Sequence, residues 1–193
     1  MEGWLTESAW AGPLLWFGLY VSDYVLTMTC ARLYKAQDKI VFEGSYEITP
    51  YYQADVDGLR RFSPRFLRIL VVGTVFVAVL RQIAGPTSGL FGFYELVLGA
   101  VVLIEATVHV RHLRNWFLFA RSVALLRGRM EYPRGIMLRA SSRELLVFAV
   151  LYAGLFAVTG SLFELGGALG CGSLSMNHLN LARRHEMAVS KAA

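Results

Sequence analysis

Three acidic residues lie inside long apolar segments of the sequence. They are Asp23, Glu95 and Glu105. An ionised side chain at membrane depth costs about 2.5 to 3.5 kcal/mol on insertion scales, so it normally faces protein or water and has a partner. These three residues are therefore the first candidates for a polar site within an apolar protein.

The segment after Glu105 adds two histidines at helical spacing. Glu105, His109 and His112 stand at positions i, i+4 and i+7, which places them on one stripe of an α-helix. Carboxylate and imidazole groups suit a divalent transition metal such as zinc, iron, nickel or manganese. These three residues are therefore candidate metal ligands, with a fourth ligand from Asp23 or from a loop carboxylate such as Glu43 or Glu47.

The same polar groups allow other interpretations. Glu105 would pair with an arginine such as Arg68, and the histidines would act as anchors at the membrane boundary. Alternatively, Asp23, Glu105 and His109 would line a path for protons or cations. Arg111 and Arg114 are expected to project from the other side of the same helix.

The composition predicts an integral membrane protein. The chain has 193 residues, of which 55% are hydrophobic and 17% charged, and its mean hydropathy is +0.47. It is too apolar for an ordinary soluble domain and about long enough for one compact membrane bundle. The net charge of +5 arises beside apolar runs, so anionic lipid is the expected partner and nucleic acid is not.

Four segments are long and apolar enough to cross a bilayer, which takes about 20 residues. They cover about residues 10–30, 66–84, 90–110 and 145–165. The sequence therefore predicts an all-α integral membrane protein, a four-helix transmembrane bundle formed by a single domain, residues 1–193. Mixed aromatic and basic residues predict an amphipathic cytoplasmic extension after the third span.

Basic residues favour one orientation of this bundle. Of the 19 lysines and arginines, seven fall in or beside the segment of about 31–65 and eight in that of about 111–144. Cytoplasmic loops retain such an excess, so both termini are expected outside, most simply in a bacterial cytoplasmic membrane. The extracytoplasmic tail would cover about 170–193, although Arg183 and Arg184 run against the rule.

Three classes of function follow from these features. The sequence favours a small accessory or scaffold subunit with a buried polar site between the first and third spans, whose polar groups specify how its helices pair. Such a subunit would belong to a homo-oligomer or a larger membrane complex. One alternative is a cation or proton transporter or channel subunit. The other is an intramembrane metal-dependent hydrolase, in which Asp23 or Glu47 activates water.

Overall fold

The computed structural model describes residues 8–192, and this part of the chain is almost entirely helical. The helices are α1 (Ala11–Lys35), α2 (Gln53–Asp57), α3 (Pro64–Ile83), α4 (Phe91–Phe117), α5 (Arg134–Thr159) and α6 (Leu162–Ala192). A π-helical turn, Leu118–Ser122, and a 3₁₀ turn, Val123–Leu125, continue α4. Two short strands, β1 (Ile40–Phe42) and β2 (Met130–Tyr132), pair in parallel and join the two long loops.

Four of the described helices are long and apolar enough to cross a membrane: α1, α3, α4 with its continuation, and α5. The predicted all-α class is therefore confirmed, and so is the prediction of four helices that are long and apolar enough to span a membrane. Large apolar side chains cover the outer surface of α3, where Val72 and Phe76 are more than half exposed. A continuous apolar surface of this kind suits lipid and is unfavourable in water.

The fourth span differs from its predicted bounds of 145–165. Helix α5 begins at Arg134 and ends at Thr159, because Gly160 adopts the left-handed conformation, with φ at +70°, that commonly ends a helix. Glu164, expected near the end of that span, lies instead in the first turn of α6. A carboxylate there is favoured by the partial positive charge of the helix N-terminus.

The last helix also differs from expectation, because residues 170–192 do not form a tail at the far end of the bundle. Helix α6 packs along both α4 and α5 and runs back towards the start of α5. Near its end, Glu186 accepts hydrogen bonds from the Arg139 guanidinium at 2.7 and 2.6 Å. The His185 ring lies 4.0 Å from Glu43, just after β1. The carboxyl end of α6 thus shares one end of the bundle with both basic loops, which we call the loop end.

This return makes the charge distribution more one-sided than the sequence suggested. Arg183 and Arg184, which ran against the orientation rule, lie at the loop end with the other basic residues. Arg81, near the end of α3, lies towards the opposite end of the bundle, beside the Gly85–Gly89 turn. The other lysines and arginines of the described residues lie towards the loop end.

Glycines bring α4 and α6 into direct backbone contact. A Cβ atom at Gly166 would overlap the carbonyl oxygen of Leu96, and one at Gly99 would overlap that of Phe163. Small residues permit such close approach between membrane helices. Gly154 on α5 is different, because a Cβ there meets no described atom within 4 Å.

Helix α4 is the central element, packed between the α1–α3 pair and the α5–α6 pair. At the loop end, its continuation buries Phe119 and Val123 against Met28, Ile40 and Tyr46. The segment after the third span is therefore anchored in the protein beneath the first loop. The two loops that were predicted to be cytoplasmic meet helices α1 and α4 at this point. The polar residues of α1 and α4 lie here too.

Candidate functional site

A polar contact joins α1 to α4 near the loop end. The Oδ1 atom of Asp23 lies 2.9 Å from Nε2 of His112, and the Thr27 hydroxyl lies 3.1 Å from the same nitrogen. The His112 side chain is 9% exposed and that of Asp23 is 22% exposed. An ion pair this well shielded from water is stronger than one on the surface.

Asp23 also belongs to a cluster of metal-ligand type. Each of Asp23, Glu105 and His109 offers one oxygen or ring nitrogen, and these atoms lie within 4.8 Å of one another. Two ligands of one ion lie no more than about 4.4 Å apart, given metal–ligand distances of about 2.0 to 2.2 Å. The cluster is therefore close to a ligating arrangement, and it combines three of the residues that the sequence suggested as ligands.

The ring of His109 is oriented by its own helix. Its Nδ1 lies 2.7 Å from the carbonyl oxygen of Glu105, and because a carbonyl only accepts, this nitrogen carries the hydrogen. In the neutral ring, Nε2 is then the nitrogen with a free lone pair, and it lies 2.6 Å from the Ser22 hydroxyl. Metal-binding histidines commonly donate their second N–H to a carbonyl or carboxylate in this way.

A cavity of about 300 Å³ lies against this cluster. Its polar wall includes Asp23, Glu105 and His112 from the two helices and Glu47 from the first loop. The remaining wall is formed by aromatic, apolar and further polar residues, among them Tyr20, Tyr24, Tyr46, Tyr52, Phe66, Ile69, Ile104, Val108, Leu174 and His178. The cavity is thus lined from α1, α3, α4, α6 and the first loop together.

The first loop covers the cavity at the loop end. The hydroxyls of Tyr20 and Tyr52 lie 2.6 Å apart and hold the loop against α1. Burial raises the pKa of Glu47 above the usual range of a glutamate, although the backbone N–H of Thr49, 2.7 Å from its Oε1, acts in the opposite direction. Glu47, suggested from the sequence as a loop carboxylate, therefore faces the same cavity as the helical cluster.

Glu95, the third acidic residue predicted inside the membrane, lies elsewhere. It precedes Glu105 by ten positions on α4, which corresponds to roughly 15 Å along the helix axis. It is half-buried and is not among the described residues that line the cavity. The structure therefore brings together Asp23, Glu105, His109 and His112 but leaves Glu95 outside.

Several polar atoms beside the cavity are buried without a hydrogen-bond partner in the described part of the chain. They are Oδ1 of Asp23, Oε2 of Glu105, Nδ1 of His112 and Nη2 of Arg111, and all four residues line the cavity. Buried polar atoms are nearly always hydrogen-bonded in folded proteins. These atoms therefore remain available to a polar group that enters the cavity.

Two residues of the site were missed in the sequence. Arg111 was expected on the other side of the helix, yet its long side chain lines the cavity while its Nε donates to Glu144 at 3.0 Å. His178 lies on α6, with Nδ1 2.9 Å from the Ser141 hydroxyl. Only recognition of α6 as a returning helix would have placed it here.

No family model, curated protein or solved structure matches the chain.

Proposed function

We propose that this protein is a membrane-embedded, metal-dependent hydrolase whose metal ion is held by Asp23, Glu105 and His109. The proposal rests on the convergence of these three ligand atoms to within 4.8 Å beside a cavity of about 300 Å³. A mixed carboxylate and imidazole set favours zinc, manganese or iron. The cavity leaves room for a substrate group next to the ion.

The surrounding residues have separate parts in this proposal. His112 contacts the Asp23 side chain across the α1–α4 interface, and the Thr27 hydroxyl contacts the same ring nitrogen of His112. When bound, a divalent ion supplies Lewis-acid activation and lowers the pKa of a bound water. Glu47 lines the cavity from the loop side and is the carboxylate that would accept the proton of the attacking water.

Metal analysis of the purified protein tests the proposal. We expect close to one transition-metal ion per chain after mild, chelator-free preparation, and a loss of most of it in Glu105→Gln and His109→Ala. Glu95→Gln is the matched control, since it removes a carboxylate from the same helix outside the cluster. Wild-type protein that is folded and free of metal, and that takes up no added Zn²⁺ or Mn²⁺, would refute the proposed function.

A second candidate function, the accessory or scaffold subunit, is favoured by the contacts that the polar groups make with each other. Asp23 with His112, and Ser22 with His109, already bridge α1 and α4 at hydrogen-bonding distances. This reading predicts that the same substitutions lower stability or the recovery of co-purifying subunits, while metal content stays at zero throughout. The metal analysis therefore separates the two candidates.

A further inference from the structure

Arg111 lies between two cavities. It lines the cavity of about 300 Å³ described above and also a neighbouring one of about 270 Å³. The two cavities share Tyr46, Ile48, Arg111 and Asn115 as wall residues. A single elongated ligand that occupied both would pass the Arg111 guanidinium.

The charge around Arg111 favours an anion. Glu144 accepts hydrogen bonds from both Arg111 and Arg114, each at 3.0 Å, so one carboxylate serves two guanidinium groups. Arg111 is the shielded member of the pair, with a side chain 12% exposed against 60% for Arg114. Its Nη2 atom is buried without a hydrogen-bond partner among the described residues. A planar guanidinium with a free N–H is well suited to a phosphate oxygen.

The rest of the walls favours an amphiphile. Ile69 lines the first cavity and is 37% exposed on the outer surface of α3, while Ile136 lines the second and is 54% exposed on α5. Both cavities therefore reach apolar surfaces on helices that cross the membrane. We propose that the two cavities together bind a phosphate-bearing membrane lipid, with Arg111 contacting the phosphate and the apolar walls contacting the chains.

This inference rests on the proposed function, because the first cavity also contains carboxylates. Asp23, Glu47 and Glu105 would repel a phosphate group by their charge. A divalent cation held by Asp23 and Glu105 would offset that repulsion. The hydrolase would then act on a lipid phosphate ester.

Calorimetric titration of the Zn²⁺-loaded protein in detergent tests the inference with three probes: dioctanoyl phosphatidic acid, dioctanoylglycerol and inorganic phosphate. We expect the phosphatidic acid to bind at least about tenfold more tightly than either other probe, since a charge-assisted hydrogen bond is worth about 1.5 to 3 kcal/mol. Arg111→Gln should remove most of this preference and Arg111→Lys should retain part of it. Arg143→Gln, an exposed position on α5, is the matched control and should change affinity less than about twofold.

Each other outcome overturns the inference in a defined way. Equal affinity for the phosphatidic acid and for dioctanoylglycerol excludes phosphate recognition, and this comparison needs only wild-type protein, so it stands even if Arg111→Gln fails to fold. Inorganic phosphate that binds as tightly as the phosphatidic acid identifies a site for free phosphate and excludes the lipid. Metal content measured on the same samples separates the two proposals, because metal-free wild type refutes the hydrolase, whereas metal-loaded protein without phosphate preference refutes only the lipid.

Discussion

Asp23 and His112 are separated by 89 positions in the chain and by 2.9 Å in space, from Oδ1 to Nε2. The contact fixes α1 against α4 at the level where Glu105 and His109 also face α1. An acid from one membrane helix and a base from another thus stabilise each other at a depth where either alone is costly.

Loss of one partner of this pair should destabilise the protein more than loss of both. In metal-free protein, His112→Ala leaves the Asp23 carboxylate partly buried without its partner, and we expect about 1 to 3 kcal/mol of lost stability. A double-mutant cycle with Asp23→Ala, followed by denaturant unfolding in detergent, should give a coupling energy of about 0.5 to 3 kcal/mol. A coupling indistinguishable from zero would mean that the contact contributes nothing. Thr29→Ala is the control, because its hydroxyl bonds only within α1, to the Val25 carbonyl.

Substitution of one glycine should separate α4 from α6. Gly166→Ala places a methyl group against the Leu96 carbonyl, so we expect a loss of about 1 to 3 kcal/mol or more, as for other overpacked cores. Gly154→Ala adds the same group where nothing described lies within 4 Å and should stabilise α5 by about 0.5 to 1 kcal/mol. Thermal unfolding of the two variants in one detergent compares them directly. Equal midpoints would contradict the close packing of α4 and α6.

Labelling should place the end of α6 on the same side of the membrane as the basic loops. Both natural cysteines, Cys30 and Cys171, are buried, so introduced ones can be read separately with a membrane-impermeant maleimide on intact cells. We expect Lys191→Cys and Arg129→Cys to label only after the membrane is permeabilised, and Thr87→Cys to label without it, since the basic side should be cytoplasmic.

The comparison of Lys191→Cys with Thr87→Cys carries this test. Identical accessibility of these two positions would contradict the return of α6 to the loop end. If Lys191→Cys and Arg129→Cys both label on intact cells and Thr87→Cys labels only after permeabilisation, the fold is preserved. Only the orientation of the protein in the membrane is then the reverse of the one expected.

Stability should fall as the pH rises through the pKa of Glu47. Burial raises the pKa of this group in the folded protein, so the folded state holds the proton at pH values where the unfolded state, with a pKa of about 4.3, has released it. The free energy of unfolding therefore decreases with rising pH above that value until the folded group also ionises. Glu47→Gln in metal-free protein should flatten this part of the profile, whereas Glu131→Gln, at a side chain 68% exposed, should leave it unchanged. Parallel profiles for Glu47→Gln and wild type would show that Glu47 is not shielded.

Much of this fold follows from simple patterns in the sequence. Apolar length alone predicts α1, α3, α4 and α5, because a run of about 20 predominantly apolar residues with few charges has few stable environments other than a bilayer. Helical periodicity likewise places Glu105 and His109 on one face, and the parallel course of the first and third spans brings Asp23 to that face.

The returning helix could not be predicted in the same way. Helix α6 contains Glu164, Asn177 and His178 among its apolar residues, so its hydropathy is low for a span. Its position depends on tertiary contacts: glycine packing against α4, and hydrogen bonds to α5 such as that between Ser175 and Ser142 at 3.0 Å. Such contacts involve pairs of distant residues and leave no periodic signal. For the same reason, the sequence analysis did not place His178 in the candidate site.

The return of α6 also sets an order of assembly. Leu174 and His178 line the cavity, yet they lie on the last of the described helices to be synthesised. The four apolar spans can enter the membrane before this helix exists, whereas α6, with its lower hydropathy, must find its place against α4 and α5 already in the bilayer. A chain truncated before α6 would lack Leu174 and His178 and leave the cavity open on that side.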